Sequence, residues 1–140
     1  MKRFSVLAFC LVVLSTSAFA EGYLARKAVK FPALVLGTDE AGYQVSQKQY
    51  DLKTGTAYRL KIVSTGRKPY ALRSADFFDF IWLRKVEAGD MEIKASHLYE
   101  LEFEEESEAE IFFVPIKPGI YKLYAAGLEE KGTFTSIHVK

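Results

Sequence analysis

The sequence predicts an all-β fold, a two-sheet sandwich or a barrel, on three observations. Short apolar or alternating runs recur from Phe31 onward, turn glycines separate them, and few stretches carry a helical period. A half-buried strand needs every second side chain apolar, and many short strands at close spacing suit two packed sheets.

Taken in order, residues 21–30 (EGYLARKAVK) are polar and mixed, and read as a partly ordered lead-in. The predicted strands are FPALVLG, GYQVSQKQYDL, TAYRLKIVS, KPYALRS, FFDFIWLRKV, DMEIKA, HLYELEF, AEIFFVPI, GIYKLYA and TFTSIHV. Period two is clearest in Tyr58–Val63 and in His97–Phe103. Turns are predicted at Gly37, Gly42, Gly55, Gly66, Gly89, Gly119, Gly127 and Gly132, where the missing Cβ allows positive φ. The stretch 75–88 fits either a buried strand or a helical turn capped by Ser74 or Asp76.

Ahead of these runs, residues 1–20 read as a signal peptide. Lys2 and Arg3 precede an apolar run that ends in Ala18-Phe19-Ala20, so the mature domain is predicted to span 21–140. Cys10 is the only cysteine and leaves with the leader, so the exported chain has no disulfide and no thiolate ligand or nucleophile. Loss of Lys2 and Arg3 turns a net charge of +1 into one negative charge, a balance that predicts no nucleic-acid partner. No later apolar run reaches the ~20 residues needed to span a bilayer.

Three stretches resemble the cupredoxin family, the small Greek-key β-sandwiches of exported copper proteins. YQVSQKQYDLKTGTAYRLKIVSTGRKPYAL resembles its opening strands, SADFFDFI its first histidine element, and LEFEEESEAEIFFVPIKPGIYKLYAAGLEEKGTFTSIHV its closing section with Pro118-Gly119-Ile120-Tyr121. The likeness covers roughly residues 43–81 and 101–139, with an added segment at 82–97. It implies a cupredoxin-like Greek-key β-sandwich and a periplasmic location.

The same likeness puts Asp79 in the place of the first histidine ligand and Ala125 in that of the cysteine. Leu128 or Glu129 falls on the second histidine, and Thr133 on the methionine. A type 1 copper centre needs a cysteine thiolate, so that centre is excluded on chemistry. Copper or iron bound through another site is the expectation that follows, iron because some exported domains of this kind accompany iron uptake. The predicted metal residues are Asp79, Met91, His97 and Glu129, with Asp76 and Glu130 nearby in sequence. Met91 and His97 would lie ~20 Å apart on one straight strand, so sharing an ion requires the chain to fold back near Ala95-Ser96. The functional end is predicted to carry both Asp79 and the Leu128–Gly132 loop.

The plainer reading makes these carboxylates solvated turn residues. His138 reads as a solvent-facing strand residue. Glu100, Glu102, Glu104, Glu106, Glu108 and Glu110 alternate as if along one acidic face. Of the aromatics Phe77, Phe78, Phe80 and Trp82, half are expected in the core and the rest in a patch for an envelope protein, where Trp82, Arg84 and Lys85 are the predicted contacts. A carbohydrate-binding sandwich is a third reading, prompted by the aromatics. No serine or paired carboxylate is placed beside a histidine, so the chain is expected to be non-enzymatic, with no catalytic residues. Three donor atoms within about 5 Å of one centre would favour an ion, and scattered donors would favour the partner.

Overall fold

Alternation along the chain becomes two packed sheets in the computed structural model, which describes residues 27–140. The predicted leader and the cleavage point before Glu21 lie outside the described residues. Sheet A has the order β1 (Val29–Lys30), β4 (Tyr58–Thr65), β9 (Glu106–Pro115), β6 (Ile81–Ala88), β7 (Met91–Ile93), and β2 (Leu34–Leu36) also pairs with β4. Sheet B has the order β3 (Gln49–Leu52), β11 (Phe134–Val139), β10 (Gly119–Ala125), β5 (Tyr70–Arg73), β8 (Glu100–Phe103). Most pairs are antiparallel, while β1 and β2 join β4, and β3 joins β11, in parallel. No described helix is long and apolar enough to cross a membrane.

Period two explains which residues meet between the sheets. Tyr58, Leu60, Ile62 and Ser64 of β4 are buried, as are Ala109, Ile111 and Phe113 of β9. They pack with Tyr70 and Leu72 of β5, Leu123 of β10 and Ile137 of β11. Each buried aliphatic or aromatic side chain contributes about 1.5–3 kcal/mol, which is how a chain without a disulfide in this region holds together.

The ambiguous stretch 75–88 contains both predicted alternatives in succession. Ala75–Asp79 forms α1, one short helix, and β6 follows directly. Ser74 stands at the helix start, but its hydroxyl donates to the Lys122 carbonyl at 2.6 Å and makes no cap bond. Phe77 and Phe78 are buried, Phe80 packs partly on the core and Trp82 is exposed, which is the division expected of these aromatics.

Two expectations are corrected. The segment His97–Phe103 is a strand only from Glu100, because Leu98 turns toward the core while His97 and Tyr99 remain exposed. The six glutamates do not share a face: Glu100 and Glu102 lie on β8 in sheet B, whereas Glu106, Glu108 and Glu110 lie on β9 in sheet A. Both groups also meet cations, through Arg73–Glu100, Lys61–Glu108 at 2.7 Å and Arg59–Glu110 at 3.8 Å.

Candidate functional site

Strand direction decides which residues can meet at each end of the sandwich. Because β5 runs antiparallel to β10, with Arg73 opposite Tyr124 and Leu72 opposite Ala125, the loop after β10 adjoins the start of β5. The Ala126 amide accordingly donates to the Ala71 carbonyl at 2.8 Å. Helix α1 leaves from the other end of β5. Asp79 therefore does not share the end that carries Leu128–Gly132, which corrects the predicted common functional end. The residue that the topology sets near Ala125 and Thr133 is Tyr70.

That loop end is closed by well-matched groups. Tyr70 is fully buried and its hydroxyl donates to the Gly42 carbonyl at 2.8 Å. Thr133, also fully buried, donates to the adjacent Tyr43 carbonyl at 2.8 Å, and its own carbonyl accepts from the Ala125 amide at 3.0 Å. Asp39 braces the facing loop by accepting from the Tyr43 and Gln44 amides, both at 2.6 Å. Those amides, that of Gln44 foremost, hold its carboxyl below the usual carboxylate value. An alanine methyl and two committed hydroxyls offer neither the imidazole nor the thiolate of a type 1 copper centre, so the residues here do not fit that group.

Two of the four predicted metal residues do come together elsewhere. His97 Nδ1 lies 3.8 Å from Asp79 Oδ1, although 17 residues and the β6–β7 hairpin separate them in the chain. The pair stands at a cavity of about 280 Å³ lined also by Arg73, Ser74, Leu98, Tyr99 and Tyr124. Met91 is elsewhere, 64% exposed on the edge strand β7, where it faces Ala88 and borders a hollow with Glu87 and Glu92. Glu129 belongs to a short 3-10 helix at Glu129–Lys131, in the loop after β10. Among the described residues, no three carboxylate, imidazole or thiolate groups gather closely enough to hold a metal ion.

Arg73, Tyr99 and Tyr124 were not singled out by the sequence. Arg73 and Tyr124 are cross-strand neighbours on the outer face of sheet B, and the Arg73 guanidinium lies 5.2 Å from the centre of the Tyr99 ring. Glu100 accepts from Arg73 Nε and holds the guanidinium firmly in its charged form. The outward phase of Lys122 and Tyr124 in GIYKLYA is a signal that could have picked out Tyr124; nothing local picks out Tyr99. His138 is a half-exposed strand residue 3.9 Å from Asp51, as expected.

The predicted partner residues share one surface. Trp82 is 40% exposed and lies opposite Val114 on the outer face of sheet A. A β-bulge between Leu83 and Lys85 leaves Arg84 as the extra residue, so that Arg84 and Lys85 both face outward while Val86 returns to the core. Lys85 is not free, however. It bonds to Glu87 and to Glu92, and its ammonium sits 4.5 Å over the Phe112 ring.

No family model matches the chain, and no curated protein matches it. Its architecture is similar to that of several solved structures, a multicopper oxidase and a copper nitrite reductase among them. A multicopper oxidase from Campylobacter jejuni superposes with a TM-score of 0.60 at 11% identity, over 83% of this chain and 31% of that one. Copper nitrite reductase from Nitrosomonas europaea gives 0.59 at 12% identity, over 86% and 52%. Auracyanin B gives 0.52 at 13% identity, over 82% and 91%. This chain thus spans about a third of the oxidase and nearly the whole of auracyanin B. Identities this low bear on the fold, a cupredoxin-like β-sandwich.

Proposed function

We propose that this chain is a non-enzymatic, exported cupredoxin-like module that binds a metal ion, copper or iron, outside the type 1 position, and serves metal handling in the cell envelope. The observation that carries this reading is the approach of His97 Nδ1 to Asp79 Oδ1, 3.8 Å apart beside an open cavity. A carboxylate and an imidazole at that separation can turn onto one ion with small side-chain rotations, and together they suit a harder first-row ion better than Cu(I), which prefers sulfur. Likeness of fold to solved copper proteins supports copper as one such ion.

Titration of the purified protein with Cu(II), Fe(II) and Fe(III), read by native mass spectrometry and melting temperature, tests the reading. Binding to the folded state raises the melting temperature by linkage. Asp79→Ala and His97→Ala should each lower the affinity at least tenfold while Met91→Ala and Glu129→Ala leave it unchanged. No binding by any of these ions would defeat the metal reading.

The exposed Trp82 and Arg84 support a second reading, a metal-free contact with an envelope protein. The end of the sandwich where β4 begins and β9 finishes carries exposed Lys27, Lys30, Lys53, Arg84 and Lys117, so such a partner should present an acidic face. Trp82→Ala should abolish capture of that partner from an envelope extract without altering the melting curve. Unchanged capture would count against this contact.

A further inference from the structure

We infer that the cavity beside Asp79 and His97 takes ferric ion, ligated by the Asp79 carboxylate, the His97 imidazole and the phenolates of Tyr99 and Tyr124, with Arg73 binding a small carboxylate or carbonate anion that completes the coordination. This deepens the metal reading above and rests on it. An ion held by Asp79 and His97 needs further donors, and among the described residues no third carboxylate, imidazole or thiolate is at hand. The remaining oxygen donors on the cavity wall that can become anionic are the two tyrosines.

Their placement is set by the sheet. Tyr124 faces outward directly across from Arg73, and Tyr99 lies just before β8, with its ring against the same guanidinium. Tyr99, through its ring, and Tyr124, through strand pairing, therefore both neighbour Arg73 at the cavity that Asp79 and His97 border. Arg73 is steadied through Nε by Glu100, and among the described residues the guanidinium makes no other hydrogen bond. Its terminal nitrogens remain to grip a planar anion in the two-pronged manner that carboxylates and carbonates accept. The cavity volume of about 280 Å³ accommodates an ion and an anion of a few atoms.

Donor chemistry selects the metal. Carboxylate and phenolate oxygens are hard, charged donors, and the set contains no sulfur, so a small trivalent ion gains far more from it than Cu(I). Three anionic side chains would match the three charges of the ion, and the Arg73 guanidinium offsets part of the charge of the bound anion. Ligation is an exchange without redox change: each phenol gives its proton to solvent, and the ion leaves its previous chelator.

The full protein is titrated with ferric nitrilotriacetate, with and without bicarbonate, and followed by visible absorption. The expected result is a phenolate-to-iron charge-transfer band that saturates at one iron per chain and weakens at least tenfold in apparent affinity without bicarbonate. Tyr99→Phe and Tyr124→Phe should each diminish the band and the double variant should lack it, with melting curves unchanged because both rings are kept. Arg73→Gln should remove the bicarbonate dependence. A band that survives in the double variant overturns the inference. Binding of Cu(II) that depends on Asp79 and His97, with no ferric band, also overturns it but leaves the metal function standing. Failure of every ion defeats both.

Discussion

The hydroxyl of Tyr70 occupies the space that a side chain at Gly37 would need: a Cβ at Gly37 would lie 2.1 Å from Tyr70 Oη, and 2.5 Å from Thr65 Oγ1. Gly37 also has φ of +80°, where an L side chain is strained. Gly37→Ala is therefore expected to cost about 2–4 kcal/mol by strain and overpacking together. Chemical denaturation of Gly37→Ala, Tyr70→Phe and the double variant would reveal coupling, since removing the hydroxyl relieves the closest contact. Strict additivity of the two single losses would refute the shared space.

Thr133→Val should destabilise the protein by about 1–3 kcal/mol, because it strips the Tyr43 carbonyl of its 2.8 Å donor while keeping the side-chain shape. Backbone amide exchange at Tyr43 and Gln44 should quicken in the same variant, since that carbonyl ties the Asp39 loop to β11. Protection equal to the wild type at both amides would show that the loop does not depend on the Thr133 bond.

Ser74→Ala is expected to loosen α1. The buried hydroxyl bonds across to β10 through the Lys122 carbonyl and is the polar tie between this helix and sheet B. A loss of about 1–2 kcal/mol follows from one buried hydrogen bond, and near-ultraviolet circular dichroism should report altered packing of Phe77 and Tyr121, whose rings lie 5.6 Å apart. A variant with native signal and native midpoint would contradict this.

Acid should weaken the β6–β7 hairpin. Lys85 first and Lys94 second hold the Glu92 carboxyl down to about 2 from an ordinary value of 4.5. A depressed folded-state value means that the contribution is complete above about pH 4.5 and fades as the pH falls toward 2. Lys85→Met should bring the Glu92 midpoint, followed by carbon-detected NMR, back toward its ordinary value. A midpoint unmoved by that substitution would assign the depression to another cause.

Much of the fold was legible because period two is a local signal. All ten predicted runs contain a strand, and the turn glycines except Gly119 adopt positive φ. The site was less legible because it depends on which end of a strand a loop joins. Asp79 looked like a loop-end ligand since SADFFDFI resembled one element, yet α1 turns that stretch away from the Ala125 end and leaves Tyr70 there. The Asp79 and His97 contact arises because β6 and β7 go out and return between them, a closure that no pairwise spacing reveals. The acidic run misled for a similar reason, since its turn passes the chain from one sheet to the other.

The bulge at Arg84 has a consequence for editing the chain. Leu83 pairs with Phe113 and Lys85 with Phe112, so the ladder would run unbroken with Arg84 excised, Lys85 still outward and Val86 still inward. Arg84 is thus surplus to hydrogen bonding, and a one-residue deletion there should leave a foldable protein whose outer surface has lost a cation and a local twist. Few positions in a β-sandwich let a surface be changed so independently of the scaffold, since dropping one residue from a regular strand would turn the rest of its core side chains outward.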